Sequence, residues 1–219
     1  MAIRTEFDQS LRDLQAKLLH MGTLVEEAIH KSTEALVNQD IALADAVIDG
    51  DDELDRLQLE IEDSCMKLIA MQQPMAKDLR KISAAWRISV ELERMADNAV
   101  DIAKSCRRIA GQLYIKPLID IPLMSEICQQ MVKGGLDSYI KDDKDMAIKM
   151  SEMDHKVDAL YKQVFRELLA IMLEDPKTIA QATHLLFIAR HLERFGDHAT
   201  NIAESVVYLV TGERAYLNE

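Results

Sequence analysis

The strongest constraint on this chain is that it repeats itself. Residues 92–103 read LERMADNAVDIA and residues 192–203 read LERFGDHATNIA, seven of twelve positions identical and the copies 100 residues apart. Other pairs keep nearly the same register. DDELDRL, with Asp51 and Asp55, returns as DHKVDAL, with Asp154 and Asp158, and Pro74 returns as Pro176. A period this long points to a duplicated bundle, not to a short-period solenoid. The unit is helical: Leu11, Leu14, Leu18, Met21, Val25, Ala28 and Leu36 fall on one stripe at helical spacing. Gly and Pro are few, with 7 and 4 residues, so little interrupts helix.

The punctuation predicts six helices. Asn38 or Asp40 caps a second helix running through Leu54, Leu57, Ile61, Cys65 and Leu68, and Pro74 breaks it from a third that reaches about Gly111. Lys116–Pro122, with two prolines, reads as a linker. A fourth helix covers about Met124–Lys141, Asp142–Asp143 make a capping turn, and a fifth carries Val157, Leu160, Val164, Leu168 and Ile171. Asp175–Pro176 starts a sixth, which ends near Gly212. The expected fold is all-α, two tandem three-helix bundles, residues 1–115 and 116–219.

Composition narrows the function. A formal charge of −12 opposes binding to nucleic acid and favours cations or basic protein surfaces. Cys65, Cys106 and Cys128 form no CxxC pair and no even set, which fits a reducing cytoplasm and excludes a disulfide framework. Charges at Glu6, Asp8 and Arg12 interrupt any leader-like apolar run, and no uncharged stretch is long enough to span a bilayer. A soluble protein that meets a membrane only through partners is expected. No glycine-rich phosphate loop and no nucleophile–base pair stands out, so no enzyme is expected.

The repeated acids are the chemical signal. At about 100° per residue, Leu92, Met95, Ala96, Ala99, Ile102 and Cys106 mark the core face of the third helix. Glu93, Asp97 and Asp101 form a separate stripe on its flank, and Glu193, Asp197 and Asn201 do the same on the sixth. Like charges four residues apart repel by a few tenths of a kcal/mol. Asp51 and Asp55, then Asp154 and Asp158, lie on the flank of the preceding helix. Antiparallel packing would bring four or five acids together in each half, which a multivalent cation would reconcile. A solvated acidic face, neutralised in part by Arg94 and Arg194, is the plain alternative.

MQQPMAKDLRKI (71–82), LERMADNAVDIA and LERFGDHATNIAESVVYLVTG (192–212) resemble the PhoU family, and the likeness covers nearly the whole chain in both repeats. The resemblance implies two three-helix bundles, frequent homodimers, and in some members multinuclear iron or zinc clusters on the bundle surface. By position the ligands would be Asp51, Asp55, Glu93, Asp97 and Asp101, then Asp154, Asp158, Glu193, Asp197 and Asn201; manganese or magnesium would also suit such donors. The implied role is regulatory: silencing the phosphate-starvation response through the sensor histidine kinase PhoR and the phosphate ABC transporter with its ATPase PstB. The repeats differ at Asp101/Asn201, at Lys104/Glu204 and at Ala96/Gly196, the last a change that either helix is expected to tolerate.

A rival reading is a carboxylate-bridged metalloenzyme or metal store. Its Glu-x-x-His spacings, Glu27/His30 and Glu152/His155, fall off the core stripes, which argues against buried di-metal ligands. His198 beside the second motif reads as a surface residue or a peripheral contact. Arg80, Arg87 and Arg94 form a basic line every seven residues, read either as salt bridges, with Glu91 four residues after Arg87, or as a docking face for an acidic segment. The twelve methionines are expected mostly as core filling.

Overall fold

A computed structural model describes residues 2–217. The helices are α1 (Ala2–Asn38), α2 (Ile41–Asp49), α3 (Asp51–Gln72), α4 (Lys77–Ile109), α5 (Asp120–Lys141), α6 (Lys144–Ser151), α7 (Asp154–Glu174) and α8 (Ile179–Thr211), with a 3₁₀ turn at Pro176–Thr178. The six expected rods are present, yet the second and the fifth are each cut in two. At Gly50 ψ opens to −9°, and at Met153 to −23°, both short of the helical value near −42°. Each bend separates a short helix from a long one. Asp51 and Asp154 thereby become the first residues of α3 and α7, where the helix dipole favours an acid.

Caps follow the side chains. Asp40, not Asn38, accepts from Leu43 N; Asp143 accepts from Asp145 N and Met146 N; Asp175 accepts from Lys177 N. Asp142 closes α5 at φ 51°, a region Asp enters more readily than most residues. Its carboxylate takes Lys77 at 2.8 Å and Lys81 at 2.6 Å, tying α5 to the first repeat. The linker is 110–119: α5 already begins at Asp120, with Pro122 in its first turn, where a missing N–H costs nothing.

In each repeat the third rod packs on the first two: α4 against α1 and α3, α8 against α5 and α7. The two bundles then join through α4 against α8 and α1 against α5, so one continuous core fills the molecule. Leu18, Met21, Leu92, Met95, Met131, Leu192 and Phe195 are wholly buried there, and side chains of this size contribute about 1.5–3 kcal/mol each. α1 and α5 approach closely because Gly22 has no side chain; a Cβ there would lie 2.0 Å from Leu136 Cδ1. The three cysteines are buried free thiols, and burial pushes Cys106 up to about 11 and Cys65 to about 12. Of the methionines, Met66, Met71 and Met75 depart from the expectation and are exposed.

Arg80 fixes the far end of the α4–α8 seam: its Nε donates to Leu209 O at 3.0 Å, at the C-terminus of α8. A cation at that pole is favoured by the dipole as well as by the bond. Arg80→Ala is expected to cost about 1–2 kcal/mol, read as a lower urea midpoint with unchanged helicity. An unaltered midpoint would mean that the contact contributes nothing.

Candidate metal centre and the seam beside it

Two lateral grooves carry the repeated acids, one between α3 and α4, the other between α7 and α8. In the first, Asp51 and Asp55 face Glu93 and Asp97. The carboxyls of Asp51, Glu93 and Asp97 are all held above the ordinary range, by burial first and then by one another's charge and that of Asp55. Asp101 adds to the field on Asp97, although it also meets Lys104 at 3.5 Å.

The acids of the second groove are the more buried set. Asp154 is pushed up to about 7, by burial and then by Asp197, Asp158 and Glu193. Glu193 and Asp197 are raised as well, burial again leading. Asp158 pairs with Lys162 at 3.3 Å, and Glu193 takes Arg190 with one oxygen. Buried Asp154 Oδ1 and Glu193 Oε2 have no hydrogen-bond partner, an arrangement that costs free energy unless something occupies the groove. Gly196 makes the depth possible: a Cβ there would sit 2.4 Å from Asp154 Oδ1. An alanine at this register remains open to the helix, but only if the Asp154 carboxylate swings out of the place the methyl would take.

Eight of the ten expected residues thus assemble into two four-acid sets, while Asp101 and Asn201 are shared with a different structure. Among the described residues no group of three or more His, Cys, Asp or Glu side chains is placed so that it could hold a metal ion as it stands. The acids converge as neighbours across a groove, and two orphaned oxygens in the second set offer hard donors of the kind iron, zinc, manganese or magnesium accept. Glu27 pairs with Lys31 on the surface, His30 Nε2 lies 3.8 Å from Glu34 there, and Glu152 and His155 are exposed, so neither Glu-x-x-His spacing builds a buried site.

The seam between the repeats was not anticipated from the sequence. Glu91 Oε2 receives His198 Nδ1 at 2.8 Å and Asn201 Nδ2 at 3.0 Å. Burial opposes ionisation of Glu91, but these bonds hold its carboxyl below the usual range. Arg94 stands 3.9 Å away, and the alternative of a salt bridge from Arg87 is not met among the described residues. At the mirrored positions His191 Nδ1 meets Asn98 Oδ1 at 3.0 Å and its Nε2 lies 3.9 Å from Asp101. Burial lowers the pKa of His191, against the pull of Asp101. Each clasp holds one acid, one histidine and one asparagine, drawn from permuted positions of the repeat. Shifting the sequence by 100 aligns Glu91 with His191, Asn98 with His198 and Asp101 with Asn201, and that register was the available signal.

Fold and site define a duplicated helical-bundle protein with two acid-lined surface grooves. The chain belongs to the PhoU family: the PhoU domain model matches residues 18–106 and again 121–206. It is 42% identical over 217 residues to a Clostridium acetobutylicum protein described as a phosphate-specific transport system accessory protein PhoU homolog, covering 99% of both chains. A homolog of the same description from Aquifex aeolicus is 45% identical, with 94% of this chain and 93% of that one covered. The crystal structure of PhoU from Pseudomonas aeruginosa superposes with a TM-score of 0.90 at 35% identity, covering 94% of this chain and 100% of that one. The Clostridium and Aquifex relatives are described as accessory proteins of phosphate-specific transport. Among the described residues no helix is long and apolar enough to cross a membrane.

Proposed function

We propose that this chain is a cytoplasmic accessory and regulatory protein of phosphate transport. It acts as a scaffold between the ATPase PstB of the phosphate ABC transporter and the sensor histidine kinase PhoR, and it holds the kinase inactive while phosphate is plentiful. The observation that carries this reading is the match of both domains to relatives so described over almost the full length. In a strain lacking the protein, alkaline phosphatase is expected to be derepressed in phosphate-rich medium. Output equal to the parent strain would remove the regulatory role.

The scaffold is read as metal-associated, with a multinuclear iron or zinc cluster in each groove. Asp51, Asp55, Glu93 and Asp97 would hold one, with Asp101 at its edge; Asp154, Asp158, Glu193 and Asp197 would hold the other, with Asn201 at its edge. The orphaned oxygens of Asp154 and Glu193 support this. Bound cations would neutralise acids that burial and mutual repulsion otherwise hold towards protonation. Glu193→Gln with Asp197→Asn is expected to remove roughly half the metal found by elemental analysis, with helicity retained. Metal content equal to that of the parent would reject the second site. The chain is further read as a homodimer; the exposed apolar line of Phe165, Leu169 and Leu173 along α7 is the face that supports pairing.

A further inference from the structure

A groove of about 590 Å³ runs along the α4–α8 seam, on the side of the Glu91 clasp. Its α4 wall presents Trp86, Arg87, Val90 and Arg94, and its α8 wall includes Glu204. The acids that line it are already engaged. Glu91 is held by His198 and Asn201, and Glu204 Oε1 accepts the backbone N–H of Leu217. The cations are not. Arg87 makes no hydrogen bond or ion pair among the described residues, and Arg94 has only the 3.9 Å approach to Glu91. Arg80, the third member of the basic line, is spent on Leu209 O. What is left is two guanidiniums seven residues apart, about 10 Å along the helix, with Trp86 and Val90 at the same wall. In the matching stretch of α8 the second repeat keeps Arg194 in place of Arg94 but has Phe187 in place of Arg87, so the pair of cations seven residues apart is not repeated there.

From this we infer that the seam groove is a docking site for an acidic helix of a partner protein, with carboxylates seven residues apart meeting Arg87 and Arg94 and an apolar residue between them resting on Trp86 and Val90. A trough between two antiparallel helices takes a third helix by its amphipathic face. Charge complementarity here is local: Arg87 and Arg94 attract carboxylates set at their spacing, and the overall charge of −12, which opposes every anionic partner at long range, weighs more against the dense continuous charge of nucleic acid than against a short helix bearing two carboxylates. A lone inorganic anion is a poor match for a trough this long with no buried donor set. The inference extends the scaffold reading by naming the chemistry of one docking partner. Its test uses purified protein, so failure here leaves the regulatory phenotype standing, and the converse.

Trp86 is the only tryptophan of the chain and stands in the groove, so its emission reports occupancy. The probe is a capped, alanine-rich helical peptide with a central leucine and two Glu seven residues apart, titrated into the chelator-treated full chain. A saturable emission change is expected, weakened at least tenfold by Arg87→Glu, by Gln in place of both Glu, or by high salt. A peptide with Lys in place of Glu should in turn bind Arg87→Glu combined with Arg94→Glu. No saturable change would overturn the inference, as would equal binding of the Gln peptide or the same signal from inorganic phosphate alone. Arg87 is exposed, so the charge reversal leaves the core untouched.

Discussion

In chelator at pH 8, Asp154→Asn is expected to be more stable than the parent, and at pH 4 the two are expected to unfold together. Asp154 has a folded pKa of about 7 against an ordinary value of 3.8, because it is buried and faces Asp197, Asp158 and Glu193. A raised acid pKa gives stability that is complete below the unfolded value and is lost as pH rises through the folded one. Between about pH 4 and pH 7 the parent therefore loses what the protonated carboxyl contributed, while the neutral amide loses nothing. After discounting for partial solvent screening, the advantage at pH 8 is on the order of 1–2 kcal/mol. His191 and Glu91, whose pKa values are lowered, titrate with the opposite sign, but they do so in both proteins and cancel in the difference. Urea midpoints at the two pH values decide it. Equal midpoints at pH 8 would mean that the carboxylate is not under the strain argued here. With zinc or iron restored the order should reverse, since the amide forfeits a hard anionic donor.

Much of this was legible in the residues. The 100-residue register exposed the duplication, the 3.6-residue stripe located the core faces, and Asp40, Asp175 and Gly212 marked ends where the structure has them. The acids were placed on the flanks, correctly, because a helix face is fixed by spacing alone. What spacing cannot convey is which rod lies against which. The clasps of Glu91 and His191 join positions more than ninety residues apart, and only packing of α4 on α8 brings them together. Arg80, read as part of a basic line, and Asp142, read as part of a capping turn, likewise gain their partners only when the opposite repeat arrives. The bends at Gly50 and Met153 were missed because Gly50 alone is a weak breaker and Met153 is none; the stripe continues across both. Asn201 was assigned by alignment to the acid stripe, but its amide is bound to Glu91.

Gly196→Ala is expected to preserve or raise the stability of the metal-free protein while weakening metal uptake by the second groove about 10–100-fold. Two local effects act in opposite directions. Alanine in a helix interior is favoured over glycine by about 1 kcal/mol, and the residue lies mid-helix in α8, so the backbone gains. The new methyl, however, would lie 2.4 Å from Asp154 Oδ1 and 3.6 Å from Val157 Cγ1. Val157 is at ordinary contact, so the carboxylate is what must leave, and it is free to swing towards water, where its charge is better solvated. The departure removes one of the two orphaned oxygens from the groove and with it the depth that sets this site apart from the first. There the matching residue is Ala96, and no acid oxygen of that groove is orphaned among the described residues. Calorimetric titration with zinc should therefore show one weakened class of site beside one unchanged class, and thermal unfolding in chelator should show no loss. Equal weakening of both classes would point to a global change in the bundle. Unchanged affinity would show that Asp154 binds no metal from the position Gly196 allows it.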